Sequence, residues 1–416
     1  MIMKNNPKLC LRDMKNNSVM RGHMAGLASD FTHGTIKLSV KPNRQYGLSD
    51  FNRGMMLAAA SKISVGGHAR GFNQGQKLGE IEWCISMPSD TWFNNVLCSG
   101  NIQDALAGFE KIVAEQLAIL KKMNICPKSG FTIAIDIHLI PRYDRNRGKE
   151  LIKSRYKNGT KHFEGYITVQ CVDKNIHLVL GVLPIETKKN IHLAVEDIMQ
   201  ICLKYGIKIR LALFDREFFT TGTISLMNRL DIGYLMPCRN TKGVVDALDE
   251  FHEFKRSGKS EYRISNKEES APYTMIIARR TRAMEKIPNL PKEKYIGFAT
   301  NRPSIDLKEY TSRWAIETGY AMIESIRPRT RSRNRSARLV CFLYAVLLFS
   351  AWVMINALMA LRNRMYRGRQ RITMTTIKII IQHGKRPKKP PDILLPNLSI
   401  TELSGNLNAN MSELQT

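Results

Sequence analysis

Acid is scarce in this chain: its 416 residues hold 36 Asp and Glu against 64 Lys and Arg, a formal charge of +28. An excess of that size, spread from the N-terminus to about Lys389, implies a polyanionic partner, because neutralising phosphates releases counterions and drives affinity without reading sequence. Nucleic acid is the first reading and an anionic membrane surface the second. Paired cysteines are missing as well. The 8 cysteines stand singly, with no Cys-x-x-Cys pair or Cys/His grouping, so neither a tetrahedral zinc site nor a disulfide framework is indicated and the thiols read as reduced and intracellular. The first thirty residues lack an apolar core behind a basic start, which argues against a cleaved secretory signal.

Long hydrophobic runs are lacking too, with one exception. "LVCFLYAVLLFSAWVMINALMAL", Leu339 to Leu361, is long enough at about 1.5 Å per residue to cross a hydrocarbon core of about 30 Å. Trp352 and Asn356 lie within the run instead of at its borders, and arginines crowd both ends, so the charge asymmetry of a membrane span is missing. The favoured reading is a helix buried on nearly all sides, with no membrane partner; a membrane anchor is its rival.

Residues 1–127 read as a helical, basic domain, with "SDFNRGMMLAAASKI" behind a Ser49 cap, then "PSDTWFNNVL" and the long "NIQDALAGFEKIVAEQLAILKKM". From 128 to 239 the pattern turns to strands. "FTIAIDIHLI", "KHFEGYITVQCV" and "NIHLVLGVLPI" predict an antiparallel meander, the last two joined by a short Asp173-Lys174 turn. The helix "NIHLAVEDIMQICLKYG", capped by Asn190 and stopped by Gly206, precedes the apolar strand "IKIRLALFD", the helix "TGTISLMNRL" and the strand "IGYLMPC". This order describes a mixed α/β sheet. Residues 240–303 read as a charged stretch with further strands, an inserted β subdomain. Residues 304–383 return to the core with the buried helix, opened by Asp306 and Glu309 placed as a capping box. The Pro/Lys-rich tail, 384–416, reads as weakly ordered.

Three acids stand out within this plan. Asp136 is the sole acid in a run of ten residues, on the strand face it shares with His138; alone it is as well explained by a structural ion pair. Asp215 ends an apolar strand, where ligands collect in α/β sheets. Glu317 is the middle of a polar stripe, Tyr310, Arg313, Glu317, Tyr320 and Glu324, which on a helix covers an arc of roughly 80° at about 100° per residue. Carboxylates on three separate elements suit hard divalent cations, and a pair of such ions about 3.5–4 Å apart can activate a nucleophile and stabilise a leaving oxygen. "RPRTRSRNRSAR" adds Arg327, Arg329, Arg331, Arg333 and Arg335 at alternate positions, which an extended segment would project to one side, as backbone contacts to DNA require.

On these residues the chain resembles the DDE transposases of prokaryotic insertion sequences, whose core is ribonuclease-H-like: "IAIDIH" matches the first Asp, "LALFDREF" the second and "EYTSRWAIETGY" the Glu. In the branch typified by insertion sequence 4, a Tyr, two residues, an Arg, three residues and the Glu are followed after six more by a Lys. Tyr310, Arg313 and Glu317 fit that spacing, whereas Glu324 stands where the Lys belongs, with Arg327 one turn on as a possible substitute. The likeness runs from about 130 to 365, and the reading it implies makes residues 1–127 a helical, basic domain that binds the DNA ends. It implies that Asp136, Asp215 and Glu317 hold two Mg²⁺ or Mn²⁺ ions for cleavage at element ends, and that the freed 3′ hydroxyl then attacks target DNA. It implies DNA contacts from Tyr310 and Arg313, a homodimer in a synaptic complex, and a place in the prokaryotic cytoplasm at the nucleoid. For Arg313 a structural pair with Glu317 weighs equally, and His138 reads either as a phosphate neighbour or as a packed histidine. A nuclease that cuts without joining, and a basic DNA-binding protein without catalysis, are the competing functions.

Overall fold

Alternation of β-branched residues makes "FTIAIDIHLI" a strand with two different faces, and the rest of the sheet is laid against it. A computed structural model of the chain describes residues 46–64, 88–143, 150–173, 176–254, 258–266, 269–279, 295–362 and 372–383, with Asp30 and Gly67. In chain order the described elements begin with three helices, α1 (Leu48–Ser61), α2 (Asp90–Cys98) and α3 (Ile102–Lys122). Strands β1 (Phe131–Pro141), β2 (Ile152–Lys157), β3 (Thr160–Cys171) and β4 (Val179–Ile185) follow. Next come α4 (Ile191–Lys204), β5 (Ile209–Phe214), α5 (Thr221–Arg229), β6 (Gly233–Pro237) and α6 (Lys242–Phe254). Strands β7 (Lys259–Ser265), β8 (Ser270–Arg279) and β9 (Tyr295–Thr300) lead through a 3-10 turn (Leu307–Arg313) to α7 (Trp314–Ser325), α8 (Arg335–Arg362) and α9 (Met374–His383).

The chain forms two compact units, Val113–Ala321 and the pair of flanking segments Met1–Ile112 and Met322–Thr416. The middle unit is a mixed nine-stranded sheet. β3 runs antiparallel to β1, and β4 antiparallel to β3, while β5 is parallel to β1 and β6 parallel to β5. That is the ribonuclease-H-like arrangement, three antiparallel strands continued by two parallel ones. The inserted strands hydrogen-bond onto it: β9 pairs antiparallel with β6, β8 with β9 and β7 with β8, so the insertion lengthens the same sheet.

The pleat sorts the faces. Ala134, Leu211, Leu213, Leu235 and Phe298 form a buried layer with Ile316 of α7, whereas on the other face a Cβ at Gly181 would meet Val169 of β3 and Ile198 of α4. Gly319 allows α7 its close approach, since a Cβ there would stand 2.6 Å from Oε1 of Gln170 on β3.

Several local expectations are corrected. β2 and α6 were not expected from the sequence. The cap of α1 is Gly47, whose N–H donates to Asp50 Oδ2, and not Ser49, which lies inside the helix. Asn190 does precede α4, but in a left-handed conformation and without a side-chain capping bond. Asp306 caps the 3-10 turn by accepting from the Lys308 N–H, but Glu309 does not complete a box; its carboxylate is held by Arg210.

In the flanking unit, α8 is the helix expected from the apolar run, and 94% of its most apolar stretch is buried, as in the core of a soluble protein. Two polar side chains in its second half, Trp352 and Asn356, have partners within the unit. Trp352 Nε1 donates to the Ile372 carbonyl at 2.7 Å, and the Asn356 carboxamide donates to that carbonyl at 3.3 Å while accepting from the Ile372 N–H at 3.0 Å. The tail beyond 383 and the basic stretch 363–371 lie outside the described residues.

Candidate active site

Register brings the two aspartates together. Ile135 of β1 is the parallel partner of Phe214, the last residue of β5, so Asp136, midway along β1, and Asp215, just past the carboxyl end of β5, follow side by side on neighbouring strands, where strands lie about 4.8 Å apart. Asp215 sits just after the strand, at the start of a short 3-10 turn, and the Tyr310 hydroxyl donates to the Phe214 carbonyl beside it at 3.1 Å.

Glu317 comes in from α7. Arg313 ends the 3-10 turn immediately before it and is buried, 7% exposed. In a 3-10 turn residues three apart eclipse, which stacks the Arg313 guanidinium over the Tyr310 ring at 5.9 Å. From there Arg313 reaches two acids, Glu317 Oε1 at 2.5 Å and Asp136 Oδ2 at 3.4 Å. The pair with Glu317 considered from the spacing therefore exists, and it is half of a bridge between carboxylates from distant parts of the chain. The Arg313 Nε–H is buried without a hydrogen-bond partner.

The electrostatics follow from this crowding. Burial pushes the Asp136 carboxyl up to about 6; Arg313 and the Ile137 N–H oppose the rise, and the charges of Asp215 and Glu317 add to it. Burial alone would weaken the charge of Arg313, but Tyr310, Asp136, Asp215 and Glu317 reverse this and hold it firmly protonated. Burial, with Asp136 nearby, also raises the Tyr310 and Tyr320 phenols. Tyr320, one turn beyond Glu317, shares a 2.5 Å hydrogen bond with Thr168, the cross-strand partner of Asp136, and its ring lies 4.4 Å from that of His138. His138 is thus a packed histidine on the face that carries Asp136.

Among the described residues no three His, Cys, Asp or Glu side chains converge closely enough to enclose a metal ion. The donors themselves suit one: a buried carboxylate whose proton affinity is raised by two neighbouring carboxylates is the environment that a hard divalent cation relieves. Arg313 supplies that neutralisation in the present arrangement.

The five arginines of the alternating motif belong to the flanking unit and fall into two groups. Arg327 is held by Glu324 through two contacts, 2.8 and 3.0 Å, so the acid at the position of the expected Lys neutralises its proposed substitute. Arg335 opens α8. Arg329, Arg331 and Arg333 are exposed on an extended segment and make no ion pair among the described residues, while the alternate residues Thr330, Ser332 and Asn334 accept backbone N–H bonds locally. Absent from the sequence reading was Arg210, which ties Glu309 to Thr132 beneath the site; its partners are 78 and 99 residues away, and no local pattern signals them.

No protein-family model matches the chain, and no curated protein matches it. Among solved structures its fold is similar to that of a piggyBac transposase in a synaptic complex with hairpin DNA, with a TM-score of 0.50 at 10% sequence identity, over 91% of this chain and 79% of that one.

Proposed function

We propose that the chain is a metal-dependent DNA transposase of the prokaryotic insertion-sequence type, cutting at element ends and transferring the freed 3′ hydroxyl to target DNA. The observation that supports this most directly is the placement of Asp136 on β1 and Asp215 at the end of β5 side by side, with Glu317 tied to Asp136 through Arg313. The fold shared with a transposase structure and the +28 charge agree with it.

In this reading Asp136, Asp215 and Glu317 would hold Mg²⁺ or Mn²⁺, and two bound ions would supply an activated oxygen nucleophile and neutralise the leaving oxygen. Tyr310 anchors the end of β5 and so fixes Asp215. Arg313 neutralises Asp136 and Glu317, and would be released for contact with phosphate where bound cations took over that neutralisation. Arg329, Arg331 and Arg333 would hold the DNA backbone, with Arg327 and Arg335 in supporting positions. The resemblance further suggests a homodimer working in the cytoplasm.

A labelled element end, a target plasmid and Mg²⁺ test the proposal. Joined strands are expected from the wild type, and Asp215→Asn should abolish cleavage while DNA binding survives. Cleavage without joining would reduce the function to that of a nuclease. The bridge by Arg313 also favours a second reading, a DNA-binding protein whose acids are structural; there Asp215→Asn would change nothing on DNA.

A further inference from the structure

β2 and the start of β3 form an arm that neither the fold nor the candidate site explains. β5 stops pairing with β1 at Ile135, whereas β1 continues with β3 to Pro141, opposite Phe163. The β1–β3 ribbon therefore runs on past the aspartates, about 17 Å from Asp136 to Pro141 at about 3.4 Å per residue, and at its end β2 folds back on β3. The turn between them is Asn158-Gly159, both with positive φ (53° and 78°), the sequence and conformation of a tight hairpin.

The arm is braced. The Tyr143 hydroxyl donates to the Asn158 carbonyl at 2.7 Å, the Thr160 hydroxyl to the Arg142 carbonyl at 2.8 Å, and the Arg142 N–H to the His162 carbonyl at 2.9 Å. Beneath it Arg142 pairs with the buried Glu164 at 3.6 Å.

Its surface is cationic and aromatic. Lys153, Arg155, Lys157 and Lys161 are exposed, none makes an ion pair among the described residues, and no acid lies between Leu151 and Lys161. Tyr156 stands among them 69% exposed, where the register of β2 with β3 shifts between Lys153 and Lys157. Cations that track phosphates, beside an open aromatic face on which a base can stack, are the two components of a single-strand contact.

We propose that this arm binds a DNA strand next to the cleavage position, its phosphates against the four cations and an unpaired base on Tyr156. The inference rests on the transposase reading for the identity of the partner, and places an open, unstacked stretch of DNA at the carboxyl end of β1.

Full-length protein in EDTA, titrated with a duplex, the same duplex carrying a single-stranded overhang, and a single strand over a range of salt, tests it. Replacing all four cations by Gln should flatten the slope of log affinity against log salt by about 2.8 on the single strand, at about 0.7 per phosphate contact. Tyr156→Ala should weaken the overhang and single-strand complexes about 5- to 100-fold, leave the salt slope and the duplex complex unchanged, and be rescued by Tyr156→Phe. Unchanged slopes, an equal loss on duplex and single strand from Tyr156→Ala, or loss of binding to anionic vesicles in place of DNA would overturn the proposal. All five side chains are exposed, so melting temperatures matching the wild type confirm that the variants fold. The two readings fail separately: strand joining that persists with unaltered arm-variant binding refutes the arm alone, and arm-dependent binding in a chain that never cleaves refutes the transposase alone.

Discussion

Replacing Asp136 by Asn should stabilise this protein at neutral pH in the absence of metal. The Asp136 carboxyl is raised from 3.8 to about 6, with burial the largest cause and Asp215 and Glu317 contributing against the opposing Arg313. At 1.36 kcal/mol per unit, ionised Asp136 is disfavoured in the folded state by about 3 kcal/mol. A raised folded-state value means that the folded chain binds the proton more tightly than the unfolded chain. The stability from this group is complete below pH 3.8, falls as pH rises through the window to about 6, and is absent above it. Asn keeps the size and an acceptor for Arg313 without the charge, so Asp136→Asn should gain about 1–3 kcal/mol at pH 7.5, a rise in Tm of roughly 3–9 °C for a unit of this size. Thermal melts of both proteins in EDTA from pH 4 to 8 measure it, the difference between them isolating one group. The gain should vanish toward pH 4. Added Mg²⁺ should raise the wild-type Tm and leave the variant's little changed. A variant less stable at pH 7.5, or a difference independent of pH, would refute the view of the site as a carboxylate cluster awaiting cations and leave Asp136 as an ordinary partner of Arg313.

Arg313→Ala strips Asp136 and Glu317 of their shared cation and should destabilise by up to about 3–5 kcal/mol at pH 7.5, with less loss at pH 5 where Asp136 takes up a proton; urea titrations at the two pH values compare them. Gly319→Ala places a Cβ 2.6 Å from Gln170 Oε1 under α7, and should cost about 1–3 kcal/mol in a denaturant melt while reducing metal-dependent cleavage, because Glu317 moves with the helix. Asn356→Leu leaves the Ile372 N–H without its acceptor and should lower stability by about 1–3 kcal/mol with no effect on the salt slope of DNA binding.

How much of this was legible beforehand depended on whether the information was local. β1, β3, β4, β5 and β6 bury one or both faces, so their apolar and β-branched residues announce them; β2, "IKSRYK", buries only Ile152 and so carries no period to read. Its signal was the Asn158-Gly159 turn and the cations around Tyr156. α6 was obscured by its charges, although Val244, Ala247 and Leu248 are spaced as one buried helical face. The buried state of α8 was legible because Asn356 and Trp352 have no place at the centre of a lipid-facing run, and Ile372 is the partner that a protein interior supplies.

The polar stripe from Tyr310 to Glu324 survived a wrong assumption about its conformation. Its first part is a 3-10 turn, not an α-helix, yet Tyr310 and Arg313 still align because residues three apart eclipse at three per turn. Glu309 shows the opposite case: local spacing made it a capping acid, and Arg210, 99 residues earlier, took it. The same rule governs the candidate site. Three isolated acids could be named from the sequence, but the Ile135–Phe214 register that sets two of them side by side is a property of the folded sheet. So is the conversion of Arg313 from an i, i+4 partner of Glu317 into a bridge to Asp136. Since that bridge and a bound cation neutralise the same carboxylates, occupancy of the site by metal and the two-armed contact of Arg313 should be mutually exclusive, and Arg313→Ala should therefore lower the Mg²⁺ concentration at which the metal-induced rise in Tm is half complete, even as it lowers the Tm itself.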